Sequence, residues 1–186
     1  MNIRFRSLIS GWAGMSLMLL AASAAEPDQA AAPRVGVYDS RAVAFAHFWS
    51  DAGAKPRNEL MAQAKAAKAA GDTARFGELS QAIRDLQARD HLEVFSTAPA
   101  AEAMAALQDR LPALQQALGV ARFVSKWDEA ALEGIPEANR VDVTDRLVRE
   151  LLPVVTEKQQ KTITQLVAAK PLPLEQAKKL AQDGKL

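Results

Sequence analysis

The chain has 186 residues with 23 Lys+Arg against 22 Asp+Glu, and it contains no cysteine. A near-balanced charge gives no basic excess of the kind that nucleic-acid binding wants, so none is expected. The missing cysteines exclude disulfides and thiolate metal sites.

The N-terminus reads as an export leader over residues 1–25. Arg4 and Arg6 precede an apolar run from Leu8 to Ala22, and the small residues Ser23, Ala24 and Ala25 follow before Glu26. A charged start, a short apolar core and a small-residue exit form a secretory signal cleaved near Ala24 or Ala25. The run falls short of the roughly 20 apolar residues of a spanning helix, so the expectation is an exported protein of the periplasm rather than an anchored one. Arg4 and Arg6 leave with the leader, and the remainder carries a net charge of −1.

Residues 26–33 are a polar, proline-flanked linker. Arg34–Tyr38 (RVGVY) then reads as a strand, with Asp39 or Ser40 as N-cap of the following helix. That helix carries Val43, Phe45, Phe48 and Trp49. Gly53-Ala54-Lys55-Pro56 predicts a break, because proline is poorly tolerated inside a helix. Helix resumes from Arg57 to Ala70 with mostly alanine at its apolar positions, and Gly71-Asp72 reads as a turn. On the return limb Phe76, Leu79, Ile83 and Leu86 recur at three, four and three residues, the spacing of a coiled-coil seam. Alanines facing these larger residues would let the limbs pack closely.

Ser96–Pro99 interrupts again. Residues 100–118 read as helix with Met104, Leu107, Leu111 and Leu114 on one face and a kink at Pro112. Ala121–Ser125 (ARFVS) is a second strand. An acidic loop from Asp128 to Asn139 leads into a helix from Arg140 capped by Asp142 or Thr144, with Val143, Leu147, Val148 and Leu151 as its buried stripe. Thr156 and Gln159 form a capping-box pattern for a further helix.

Two strands separated by an out-and-back helix must find each other to satisfy their backbones. This order, with Val35-Gly36-Val37-Tyr38-Asp39, the Ala121–Ser125 strand and Asp142-Val143-Thr144, resembles the Skp/OmpH family of periplasmic chaperones over residues 34–152. The resemblance implies a mostly helical α+β fold with a small sheet body (34–50 and 105–152) and a long protruding coiled-coil arm (about 51–104), assembled as a homotrimer. It also implies an ATP-independent holdase for unfolded outer-membrane or envelope proteins, caged between helical arms. The near-neutral mature chain and the interrupted arm depart from the family pattern. Residues 153–186 lie beyond it, as a helical extension without an assigned role.

Client contact would fall to Phe45, Phe48, Trp49, Phe76 and Leu79, and limb zipping to Phe76, Leu79, Ile83 and Leu86. Val35, Val37, Phe123 and Val124 would build an oligomeric sheet. Core packing is the simpler reading of the aromatic cluster. His47 and Asp51 stand four apart on one expected helix, but two ligands do not make a zinc site. His91 reads as a surface residue, and Glu129, Glu133 and Glu137 have no evident base or nucleophile partner. No nucleophile elbow or phosphate-binding loop is present. The expectation is therefore a non-enzyme without cofactor or metal. A structural scaffold that binds one dedicated envelope partner through the arm is the alternative function.

Overall fold

The computed structural model describes residues 33–183. The leader, nearly all of the linker and the last three residues lie outside the described residues.

The elements run β1 (Val35–Tyr38), α1 (Ser40–Trp49), α2 (Asp51–Ala69), α3 (Thr73–Phe95), α4 (Ala101–Ala106) and α5 (Leu111–Leu118). They continue through β2 (Phe123–Ser125), α6 (Glu129–Leu132), β3 (Arg140–Asp142), α7 (Thr144–Leu151), α8 (Glu157–Ala168) and α9 (Leu174–Gln182). The fold is α+β and mostly helical, with one small parallel sheet ordered β2-β1-β3.

The two strands expected from sequence do pair, with Val37 opposite Val124 and Tyr38 opposite Ser125. The third strand replaces what read as the start of a helix. Gly36 aligns with Val141 there, and the Val143 N–H donates to the Val37 carbonyl at 2.9 Å. Strand residues alternate between faces, as a pleat requires. Val35, Val37 and Val124 meet Leu132, Ala131 and Ile135 on one side, while Tyr38, Phe123 and Val141 face the main core on the other.

That core is organised around α1, which packs against α2, α3, α4, α7 and α8. Ala42, Val43 and Ala46 are fully buried, and Leu107 from the α4–α5 turn and Leu147 from α7 close over them. The expected stripe of Val143, Leu147, Val148 and Leu151 is buried throughout.

Helix boundaries differ from the sequence reading in three places, each for a local reason. The first break falls at Ser50, not at Gly53–Pro56. Ser50 adopts φ −70°, ψ 159°, and its hydroxyl donates to the His47 carbonyl at 2.7 Å while accepting from the Gly53 N–H at 3.2 Å. One residue thereby ends α1 and caps α2, and Pro56 is carried inside α2. Proline there forfeits a single backbone hydrogen bond near the helix start. Gly53 is the residue this junction demands, since a Cβ would lie 2.1 Å from the His47 carbonyl oxygen. Second, Pro112 does not kink a long helix. It sits in the first turn of α5, where its missing N–H costs nothing. Third, the helical hairpin ends at Phe95, so residues 101–104 belong to the core with Ala100, Ala103 and Leu107.

The segment after residue 153 is part of the same fold. The capping box of Thr156 and Gln159 forms, opening α8, and Ile163 enters the main core. Leu172 pairs in parallel with Ser96, exchanging backbone hydrogen bonds with Phe95 and Thr97 at 3.0 and 2.9 Å. Helix α9 then packs on α3 with Ala177 fully buried. These contacts tie the C-terminal segment to the base of the return limb.

Candidate functional site

The hairpin of α2 and α3 is the largest feature inserted between β1 and β2. Its turn is made by Ala70, Gly71 and Asp72. Gly71 takes φ 71°, a left-handed conformation that costs glycine little, and the Asp72 carboxylate accepts from the Arg75 N–H at 2.9 Å to start α3. Ala64 at 6% and Leu79 at 3% exposure are the buried pair of the limbs. Phe76, Ile83 and Leu86 are half-buried along the same face of α3, between exposed neighbours. The two limbs pack against each other along their length. No helix among the described residues is long and apolar enough to cross a membrane.

This packing corrects one expectation. Leu79 has no surface to offer a client while the hairpin is closed, so its role is to join the limbs. Phe76 remains partly exposed, with the Lys68 ammonium 5.8 Å from its ring centre. Met61 at 55% and Phe95 at 44% are exposed apolar side chains of the hairpin that the sequence reading passed over.

The aromatic cluster lies at the hairpin's root. Phe45 and Trp49 pack edge to face with centroids 4.2 Å apart, and Phe48 stands 6.1 Å from Phe45. All three are half-buried, and Phe45 and Trp49 back onto the main core. Arg57 of α2 lies 4.0 Å over the Phe48 ring and donates to the Phe48 carbonyl at 3.2 Å. These rings brace the root and keep part of their surface open.

The candidate sheet residues need a second correction. Val35 and Val37 lie on β1, the central strand, paired on both sides within the chain. They cannot supply an edge to another molecule. The strand edges left for that purpose belong to β2, which carries Phe123 and Val124, and to β3.

A charged centre at the carboxyl end of β1 was missed by the sequence reading, which took Asp39 only as a cap. Asp39 and Arg41 are each 1% exposed. The Asp39 carboxylate accepts from the Arg41 N–H, Nε and Nη2 at 3.0, 3.2 and 3.0 Å, and from Lys126 Nζ at 2.7 Å. Its own N–H donates to Thr144 Oγ1 at 3.0 Å. Arg41 continues to the carbonyls of Ala169 and Val167 at the end of α8, at 2.8 and 3.4 Å. Burial alone would raise the Asp39 carboxyl, but the hydrogen bonds and charges of Arg41 and Lys126 outweigh it and hold the group below the usual carboxylate range. The Asp-x-Arg spacing after a strand was the signal available. The cluster joins β1, β2, α7 and α8, which is a structural task. Beside it a cleft of ≈590 Å³ is lined by Asp39, Lys126, Asp142, Thr144, Ile163 and Thr164.

A second polar cluster sits where α1, α2, α3 and α4 meet. It lines a cavity of ≈260 Å³ with His47, Arg57, Arg89, Asp90, Glu93 and Glu102 among its walls. Glu93 is 9% exposed and its Oε1 accepts from the Ala101 N–H at 3.1 Å, supplying the start of α4 with an acceptor. Arg89 pairs with Glu102 at 2.9 Å. Burial pushes the carboxyls of Asp90 and Glu93 up, and it pushes Tyr38 up to about 12. His47 and Asp51 do not share one helix, because Ser50 separates α1 from α2. Among the described residues no group of three or more His, Asp or Glu is arranged to hold a metal ion.

The site is thus a helical hairpin rooted in a charged four-helix junction on a small parallel sheet. No family model, curated protein or solved structure matches the chain.

Proposed function

We propose that this protein is an ATP-independent holding chaperone of the periplasm, a non-enzyme that keeps unfolded outer-membrane or envelope proteins soluble between helical arms. The observation that carries the reading is the hairpin itself: α2 and α3 leave the core after Ser50 and return at Phe95, inserted between two paired strands. The reading rests on the Skp/OmpH resemblance of the sequence, and the expected export leader would bring chaperone and clients into one compartment. Two hairpin limbs joined by a short seam act as a coiled-coil arm, and a trimer assembled through the β2 and β3 edges surrounds a cavity with three of them. Exposed apolar groups such as Met61, Phe95 and the open part of the Phe45–Phe48–Trp49 cluster supply contact. Burial at roughly 25 cal/mol per Å² is non-directional, so it suits clients with no common sequence. No cofactor or nucleotide is required by such a mechanism.

Client breadth tests the reading. The mature protein is expected to suppress aggregation of several unrelated urea-diluted envelope proteins without ATP, and to show a trimer mass by light scattering. Failure with every unfolded protein, together with capture of a single folded envelope partner, would replace the chaperone by a scaffold. A monomer at micromolar concentration would remove the cage.

A further inference from the structure

We propose that His47 is a proton-operated latch at the root of the hairpin: when the imidazole takes up a proton, α2 and α3 swing away from α1 and α4 with Ser50 as the pivot. The inference concerns motion of the hairpin alone, so it stands apart from the holding function.

Three features of the junction lead there. The His47 Nδ1 atom is buried and has no hydrogen-bond partner. As a neutral acceptor it bears the cost of one unmet hydrogen bond, whereas in the imidazolium both ring nitrogens are donors and a charge is desolvated as well. The ring also sits at the mechanical weak point. A single extended residue, Ser50, separates α1 from α2, and the His47 carbonyl is the acceptor for the Ser50 hydroxyl. Finally, the ≈260 Å³ cavity leaves α2 and α3 imperfectly packed against α1 and α4. On the return side the Leu172 bridge at Ser96 and the packing of α9 on α3 tether the base of the return limb, so the two limbs turn together about their ends at Ser50 and Ser96.

The charges around the ring set the sign. Facing His47 are Arg57 from α2, Arg89 and Asp90 from α3, and Glu102 from α4. Facing the half-buried Asp90 are His91 and the same arginines, and facing the buried Glu93 are Arg89, Glu102 and Tyr38. Burial holds the imidazole below its ordinary 6.5. The closed junction therefore favours neutral His47, and that preference is lost as pH falls below about 6.5, where an opened ring would be charged. Asp90 and Glu93 act oppositely: burial raises both, so the closed junction favours their protonated forms and acidification tightens it. His47 is the group that opens, and the carboxylates limit how far opening proceeds.

The test is hydrogen exchange at the Gly53 and Ala54 amides, whose acceptors are the Ser50 hydroxyl and carbonyl. Rates corrected for intrinsic chemistry are compared between pH 7.5 and 5.5 in the wild type, His47→Gln and His47→Phe. Uptake of one proton on opening allows the opening constant to rise by at most about tenfold per pH unit. Wild-type protection is expected to fall several-fold on acidification, while amides of β1 are unchanged. In both variants protection is expected to hold steady or increase, because only the carboxylates remain to act. The absence of native cysteine permits a second reading from two spin labels, one at Lys68→Cys on α2 and one at Arg149→Cys on α7. A longer-distance population is expected at pH 5.5 in the wild type alone. Equal acid-induced loss of protection in the wild type and either folded variant would overturn the latch, as would unchanged wild-type protection and distances.

Discussion

Asp39→Ala is expected to destabilise the protein more than any single change at its surface. The carboxylate binds two cations, the buried Arg41 and the partly exposed Lys126, and its removal leaves the Arg41 guanidinium, in a residue 1% exposed, without its buried counter-charge. Breaking a buried pair in this way costs about 3–5 kcal/mol. At about 2–4 °C per kcal/mol for a domain of this size, the melting temperature should fall by roughly 6–20 °C. The pH dependence has a definite sign. Because the folded carboxyl titrates below its unfolded value near 3.8, its contribution is complete above that value and is lost as pH falls through the folded one. The gap between wild type and Asp39→Ala should therefore be largest near neutrality and shrink in acid. Thermal melts at pH 7 and pH 3 measure it, and equal stability of the two proteins at pH 7 would remove Asp39 from the centre of the fold.

Leu79→Asp is the second large effect, and it separates the hairpin from the core. Leu79 is 3% exposed between the limbs, so a carboxylate there loses apolar burial and sits desolvated without a partner. A local cost of about 2–4 kcal/mol is expected. Helical circular dichroism should fall as α2 and α3 fray. Trp49 and Trp127 lie outside both helices, and their fluorescence should still report cooperative unfolding of the core. Client holding should fall with the hairpin. Unchanged dichroism would show that the limbs do not depend on this contact.

Local chemistry made much of this fold legible. The strand at Val35–Tyr38, the turn at Gly71, the capping box at Thr156 and the stripe through Leu147 each reside within a few residues of sequence, where periodicity and turn preferences act. The strand β3 was hidden because it is three residues long and one face of Arg140–Asp142 reads equally well as a helix start. Ser50 was hidden beside a stronger signal, the Gly–Pro pair that follows it. What remained illegible is long-range. Nothing local to Arg41 announces that it reaches the carbonyl of Ala169, and nothing local to His47 announces the charges brought to it by three other helices. Those partners are set by tertiary packing, which is why the C-terminal segment has no role that its own sequence announces.

On the proposed function, unfolded envelope clients are captured by apolar contact with the helical hairpins. Residues 26–186 carry 21 Lys+Arg against 22 Asp+Glu and so hold no net basic excess. Charge-driven capture is screened beyond about 8 Å at physiological ionic strength, whereas apolar burial is not weakened by salt. The direct measurement is titration of a fluorescently labelled, urea-diluted outer-membrane protein with residues 26–186 of this protein at low and high ionic strength without ATP. Tight binding that changes little between the two is expected. Absence of binding at both would contradict the chaperone function, and binding that collapses with salt would contradict its apolar mechanism.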